Sequence, residues 1–456
     1  MTTFHLINFG CRASHADGAA IKKQLAVRGF REASADESEV AVLNTCTVTA
    51  VADAEVRQVI RRIHRSNPRC KILVTGCYAQ RAAGEIAKLP GVTWVIGNSH
   101  KHALAEILSG EGHRGAPPEE LGSTEKPGGI HGTTFLALEA HTTEPRVLVG
   151  EIGNVFHFAP VFADDRTRPT VKIQDGCNAR CAFCVIPHVR GKSRSMEPEK
   201  VVEQISELEQ NGYQEIVLSG INLGSYGRDL ARRYTFLDLI KRILAETGIP
   251  RVRISSIEPM DVSHELINLV ETEPRMAQHF HVPLQSGSDR VLRLMNRRYW
   301  TAQYAERIIS IRERIPACGI GADVMVGFPG ETESDHAESL RFIDSLPFTY
   351  LHIFPYSARP GTPAAGRAGQ VDGRRIHERV REMKSLIAAK RDQFLQGQIG
   401  QKLSAVVLHK AQDGAPSALS SNYLQISLPG ADVAPNTLVD VEIGRVRGGA
   451  LFGRAA

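Results

Sequence analysis

The sequence predicts a mixed α/β protein in three parts: a small doubly wound α/β domain, a partial β/α barrel and a short all-β barrel. Three observations carry this. The 456 residues suit about three domains at roughly 150 residues each. Short apolar runs alternate with helical patterns twice along the chain, the mark of parallel strands with covered faces. The last 55 or so residues abandon that rhythm for short strands broken by Gly, Pro and Asn.

The first part reads as strands at Phe4–Phe9, Val40–Leu43, Lys71–Thr75 and Thr93–Ile96. Helices lie at Asp17–Arg28, about Ala50–Arg65, after Tyr78, and about Lys101–Leu108. This is a doubly wound domain over residues 1–110. From Ser109 to Gly132 breakers replace the apolar period. Residues 111–165 form a linker or variable segment, part of it a lid or a strand pair. The βα rhythm resumes over 166–365 with strands at Thr170–Gln174, Glu215–Ser219, Val252–Ser255, His279–Val282, Ile320–Val326 and Tyr350–Phe354. Helices start near Glu197, Phe236, Val262, Ser288, Thr301 and Glu333. Six such units suit an incomplete barrel. A basic helix follows within 366–397, roughly Val371–Gln396. Its excess of positive charge over 366–391 equals the +5 of the whole chain. That face is either solvated or a phosphate-binding surface. The final segment, 398–456, has strands at Leu403–Leu408, Leu424–Leu428, Leu438–Ile443 and Ala450–Gly453, as in a small β-barrel.

Composition narrows the function. No run approaches the ~18 apolar residues of a membrane span, and the N-terminus lacks the basic and apolar regions of a secretory signal. The expected compartment is the cytoplasm. Aromatic residues are 6% of the chain, too few for broad base-stacking surfaces. Eight cysteines cannot form a disulfide scaffold at this length.

Six of those cysteines fall into two triplets. Cys177-Asn-Ala-Arg-Cys181-Ala-Phe-Cys184 places three thiols within eight residues, just after the first barrel strand. That is the C-terminal face, where barrel active sites assemble. A structural zinc site wants four protein ligands. Three thiolates instead suit an iron–sulfur cluster with one open iron. The second triplet, Cys11, Cys46 and Cys77, is dispersed, but each member follows one of the first three strands. In a parallel sheet these ends share one crest, where α/β sheets bind ligands. The alternative is three small buried hydrophobes. Cys70 and Cys318 lie away from both crests and read as core residues.

With both triplets in view, the chain resembles the radical S-adenosylmethionine (SAM) methylthiotransferases. Phe183-Cys184-Val185-Ile186-Pro187, Arg190-Gly191-Lys192-Ser193-Arg194-Ser195, His281 to Asp289 and Val326 to Thr332 match that group in order. Three phrases resemble the subgroup acting on threonylcarbamoyladenosine in tRNA: Asn44 to Thr49, Arg253 to Pro259, and His352 to Ser357 with Arg359 to Pro363. One stretch departs from the family: Ser14 and Asp17 stand where asparagine and glutamate are usual.

The resemblance implies a radical SAM core, an N-terminal domain with an auxiliary [4Fe–4S] cluster on Cys11, Cys46 and Cys77, and a C-terminal TRAM barrel, an RNA- or substrate-binding module. It implies that Cys177, Cys181 and Cys184 hold the cluster that chelates and reductively cleaves SAM. The auxiliary cluster carries a sulfur that a second SAM methylates, and radical chemistry joins methylthio to C2 of the adenine at position 37. Implied partners are the tRNA anticodon stem-loop, a one-electron donor such as flavodoxin or ferredoxin, and a sulfur donor. Placement at strand ends nominates Phe183, Gly220, Asn222, Ser255, Glu258, Gln285 and Gly327 for SAM. Arg190 and Arg194 are candidates for the SAM carboxylate or RNA phosphate, and Arg374, Arg375 and Arg379 for RNA. Alternatives are isopentenyladenosine tRNA or a ribosomal-protein aspartate as substrate, or a non-catalytic iron–sulfur RNA-binding module.

Overall fold

The computed structural model describes residues 2–110, 144–153, 167–409 and 415–455. Most of the expected linker, and Lys410 and Asp413 of the last domain, lie outside these residues. Among the described residues no helix is long and apolar enough to cross a membrane.

The N-terminal sheet has six parallel strands in the spatial order Arg31–Glu32, Thr3–Asn8, Val40–Thr45, Lys71–Gly76, Val92–Ile96 and Arg146–Leu148. Strand residues alternate between two cores. Val40 and Val42 pack with Ile21, Leu25 and Leu104 on one face, and Ala41 and Leu43 with Val56, Ile60 and Tyr78 on the other. That double burial makes the strands read as continuous apolar runs. Two strands were not expected from the sequence. Arg31–Glu32 has two exposed residues. Arg146–Leu148, from the variable segment, adds one edge strand where a lid or strand pair was expected. The sheet runs outward in both directions from the adjacent strands Thr3–Asn8 and Val40–Thr45, its topological switch point.

The central part is two three-stranded parallel sheets. One runs Arg251–Ile254, Glu215–Ser219, Thr170–Lys172, and the other His279–His281, Gly319–Val326, Tyr350–Pro355. Single bridges at Val252–Met276 and Ser256–His281 join them into a six-stranded arc. The first expected strand ends early: Gln174–Asp175 leaves it and pairs antiparallel with Arg194–Ser195, framing the cysteine loop. The arc stays open between its first and last strands, and the N-terminal domain fills that side. Helix Arg12–Val27 packs on Thr170–Lys172. Ala50 N donates to Ser357 Oγ at 2.9 Å, and Arg359 reaches Asp53 at 2.6 Å.

Five strands (Lys402–Val407, Ser417–Ser420, Gln425–Ser427, Leu438–Arg447, Ala450–Ala455) close the C-terminal barrel. It docks on the N-terminal ends of the arc's strands. Arg253 donates to the carbonyls of Ser421 and Ser420 at 2.9 and 3.0 Å. The long helix, Gly373–Gln396, is capped by Asp372, which accepts from Arg374 N at 2.9 Å. Met383 and Ile387 join the central core, and Leu395 joins the terminal barrel's core. Arg379 is a correction to the expected RNA surface. It is 2% exposed, pairs with Glu331 at 2.7 Å and donates to Glu333 at 2.5 Å. Its guanidinium pins the helix to the core and offers nothing to phosphate. Arg375 is exposed but engaged by Glu333 and Glu378. Arg374, Arg381, Lys384 and Arg391 remain on the exposed face.

Candidate cofactor and active site

Cys11, Cys46 and Cys77 follow the three central strands of the N-terminal sheet, and two glycines let them approach. Gly10 has φ +95°, and a Cβ there would sit 2.3 Å from Cys46 Cβ. Gly76 has φ +98°, and its Cβ would meet the Thr45 carbonyl at 2.4 Å. Only glycine tolerates that backbone and that space. Burial, helped by the neighbouring Cys77 and Cys11 thiols, pushes the Cys46 thiol up to about 12. Three thiolates so placed require a cationic partner, which fits an iron cluster's donor set.

Arg190 governs the neighbourhood. The sequence offered it to SAM or RNA, but it is 2% exposed and turned to the N-terminal domain. Its Nε donates to Cys77 Sγ at 3.2 Å, Nη1 to Asp175 at 3.0 Å and Nη2 to Asp17 at 3.0 Å. Asp17 also binds Lys101 at 3.0 Å and Lys172, and Lys172 binds Asp175 at 2.9 Å. Burial alone would raise the Asp17 carboxyl. The Lys101, Lys172 and Arg190 cations overcome it and hold Asp17 well below the usual range. Buried Arg190 and the partly buried Lys101 and Lys172 thus face two carboxylates beside the thiols, leaving one positive charge in excess. The unusual Asp17 is the hub of this junction between domains. Ser14 adds its carbonyl as acceptor from Asn44 Nδ2 at 2.6 Å. Arg194 is likewise structural, donating to the carbonyls of Gly153 and Arg190 at 2.7 and 2.8 Å.

The other triplet, Cys177, Cys181 and Cys184, sits across the interface. Cys77 packs on Val185 and Val189, the residues that follow Cys184, so the two thiol sites adjoin. Burial pushes the Cys184 thiol up to about 12 and raises Cys177. Cys177 accepts from Ala179 N at 3.4 Å, and Cys181 from Arg297 Nη1 at 3.3 Å. The Ala179 N–H opposes the effect of burial on Cys177, and the set fits a cluster bound on three sides. A cavity of about 310 Å³ opens beside it, lined by Cys181, Asn222, Glu258, Arg297 and Tyr299 among others. Burial raises the Glu258 carboxyl, with paired Arg297 opposing. Asn222 Oδ1 is buried there without a hydrogen-bond partner among the described residues.

Of the residues nominated for SAM, Asn222 and Glu258 line this cavity. Phe183, Gly220, Ser255, Gln285 and Gly327 do not. Gly220 makes room for Gln174 and Leu223, each 2.9 Å from its would-be Cβ. Gly327 makes room for Ile376 at 2.5 Å, and its N–H is taken by Glu331. Phe183 meets Phe328 edge-on at 6.5 Å. Ser255 is 6% exposed in the arc's wall, and Gln285 is held at φ +67° by backbone pairing to Val324. Arg297 was missed because only folding brings it to Cys181, 116 residues away.

Comparison with known proteins shows the family. The Radical SAM superfamily matches residues 171–343, and the Uncharacterized protein family UPF0004 matches residues 3–97. The chain is 38% identical to "Threonylcarbamoyladenosine tRNA methylthiotransferase MtaB" of Aquifex aeolicus, over 92% of this chain and 95% of that protein. It is 32% identical to "tRNA-2-methylthio-N(6)-dimethylallyladenosine synthase" of Desulforamulus reducens, over 98% and 94%. Among solved structures, the radical SAM methyltransferase TsrM of Kitasatospora setae shares the fold, with TM-score 0.53 and 15% identity over 80% of this chain and 77% of that one. With two thiol triplets on adjoining domains and relatives matching nearly end to end, the chain belongs to the radical SAM tRNA methylthiotransferases, enzymes of a superfamily that uses SAM and a [4Fe–4S] cluster.

Proposed function

We propose that this enzyme transfers a methylthio group to C2 of N6-threonylcarbamoyladenosine at position 37 of tRNA. The observation that carries the reading is the adjacency of two three-thiol sites across one domain interface, since the reaction needs a radical source beside a sulfur source. Cys177, Cys181 and Cys184 hold the cluster that binds SAM, and Cys11, Cys46 and Cys77 hold a second [4Fe–4S] cluster. When bound, these groups supply the electron for SAM cleavage and the sulfur to be methylated and transferred, chemistry that no side chain provides.

The chain's own residues place and shield that chemistry. Arg190 fixes Cys77 and locks the N-terminal domain to the core through Asp17 and Asp175. Arg297 fixes Cys181 and turns Glu258 into the cavity where SAM binds. Asn222 offers its unpartnered oxygen to the same ligand. The division of labour is a sulfur-bearing domain at 1–110, a radical core at 166–365 and an RNA-binding barrel at 398–456, with the exposed face of the 366–397 helix meeting the tRNA backbone. An electron donor such as flavodoxin or ferredoxin and a sulfur donor complete the cycle.

The relatives' names favour the threonylcarbamoyl substrate but include a dimethylallyl enzyme. A competition settles the choice. Two anticodon stem-loops differing only in the N6 group are offered together to the anaerobically reconstituted enzyme. We expect the threonylcarbamoyl RNA to be methylthiolated preferentially. Preference for the isopentenyl RNA overturns the substrate while leaving the radical chemistry standing.

A further inference from the structure

Part of the inner side of the six-stranded arc stays open to solvent along its last strand. Tyr350, His352 and Phe354 alternate along the last strand and face inward, where their rings meet at 5.3 and 6.4 Å. His352 is exposed, and Phe354 is 40% exposed. A closed barrel packs such positions as core; here they line an open chamber. His281 stands opposite, its ring 5.3 Å from His352. Its Nε2 lies 3.0 Å from Asp323 Oδ1, and its Nδ1 lies 2.9 Å from the Tyr350 hydroxyl. Tyr423 of the terminal barrel forms the floor, 4.4 Å from the His279 ring and 5.6 Å from Tyr350.

Arg12 enters this chamber from the N-terminal domain. It follows Cys11 directly and reaches Tyr423, donating from Nη2 to the hydroxyl at 2.9 Å. Its Nη1 is buried and has no hydrogen-bond partner among the described residues. Burying an unsatisfied guanidinium donor is costly, and a carboxylate is the group that best relieves it, taking two parallel hydrogen bonds. A cation is the poorer occupant. Ligand atoms of His281, Asp323 and His352 lie within 4.8 Å of one another. Yet both ring nitrogens of His281 are already engaged, and the arginine adds positive charge.

We propose that the chamber takes an anionic group on the substrate base, with Arg12 binding its carboxylate. Resting on the substrate reading above, that group is the threonyl carboxylate of the N6 substituent. Asp323, anchored by His281, keeps acceptor capacity for the substituent's hydroxyl or ureido N–H, and His352 completes the wall. Because Arg12 adjoins Cys11, a base held by this carboxylate lies next to the sulfur-bearing thiols. An isopentenyl group would leave Arg12 Nη1 unsatisfied, so Arg12 is a specificity-determining residue.

The test compares Arg12→Gln with the wild-type holoenzyme on threonylcarbamoyl and isopentenyl stem-loops. Stem-loop Kd is read by fluorescence anisotropy, and kcat/KM by product formation. Losing a charge-assisted hydrogen bond should weaken threonylcarbamoyl binding about 10- to 100-fold and leave isopentenyl binding unchanged, with Arg12→Lys recovering part of the loss. His352→Leu, remote in sequence from the cysteines, should narrow the same preference if Arg12→Gln fails to take up iron. A wild type that prefers isopentenyl overturns the substrate reading itself. A wild type that prefers threonylcarbamoyl, with the preference intact in both variants, overturns only the role of the chamber. Tyr423→Phe removes the hydroxyl and keeps the guanidinium. If it narrows the preference as much as Arg12→Gln, Arg12 acts through domain docking and the proposal falls.

Discussion

Glu215 should anchor the terminal barrel to the core, and Glu215→Gln tests this quantitatively. Its carboxylate is fully buried and accepts from Arg253 at 2.7 and 3.2 Å and from Arg168 at 3.3 Å, with Arg251 at 3.5 Å. Burial alone would raise its pKa; Arg253, Arg168 and Arg251 overcome that and hold it down to about 2. An ordinary glutamate titrates near 4.3, so the depression of about two units corresponds to ~3 kcal/mol. Because the folded pKa is depressed, this stabilisation is complete above about pH 4.3 and fades as pH falls toward 2. Removing the charge also leaves buried Arg251 and Arg253 and partly buried Arg168 without their counter-charge, which places the cost in the ~3–5 kcal/mol range of broken buried pairs. A three-part chain does not unfold in two states, so the readout is local hydrogen exchange. Amides of Arg251–Ile254 and Ser417–Ser420 should exchange about 100-fold faster in the variant at pH 7. The gap between variant and wild type should be flat from pH 5 to 8 and shrink below pH 4. Exchange within threefold of wild type at pH 7 would refute the reasoning.

Two further perturbations probe the site. With the second cluster on the N-terminal thiols as proposed, Gly76→Ala should empty it, because its Cβ would meet the Thr45 carbonyl at 2.4 Å, whereas Gly29→Ala, at φ +78° with nothing within 4 Å, should keep its iron. Equal iron in both variants would show that close approach at Gly76 is not what positions Cys77. Replacing exposed Arg381, Lys384 and Arg391 with glutamine should weaken tRNA binding and lower the slope of log K against log salt by roughly 0.9 for each phosphate no longer neutralised. An unchanged slope returns that face to solvent. Arg379→Gln should instead loosen the helix, since its partners are Glu331 and Glu333.

The cysteine geometry was legible because strand ends in a parallel sheet share a direction, so three thiols after three consecutive strands had to converge. Cys70 and Cys318 were legible as core for the complementary reason: both precede strands, and both are buried among apolar side chains. Charge partners were not legible. Arg190 joins Asp17 across 173 residues, and Arg379 meets Glu331 across 48. A basic residue carries no local mark of such distant carboxylates. The edge strand Arg146–Leu148 escaped notice because it is three residues long and largely exposed, without the apolar run of its buried neighbours. Two of the subgroup phrases proved to meet. Arg359 donates to Asp53 and to the Thr47 carbonyl at 2.6 and 3.4 Å, so part of that signal lies in the domain interface.

The central claim is that the two thiol triplets do separate work, one for SAM and one for sulfur. The direct measurement follows 5′-deoxyadenosine and methylthiolated nucleoside in one anaerobic reaction of Cys46→Ala, with Cys177→Ala beside it. The account predicts that Cys46→Ala keeps about four of roughly eight irons, still forms 5′-deoxyadenosine and yields no methylthio product, whereas Cys177→Ala forms neither. Methylthio product at the wild-type level from Cys46→Ala would contradict it.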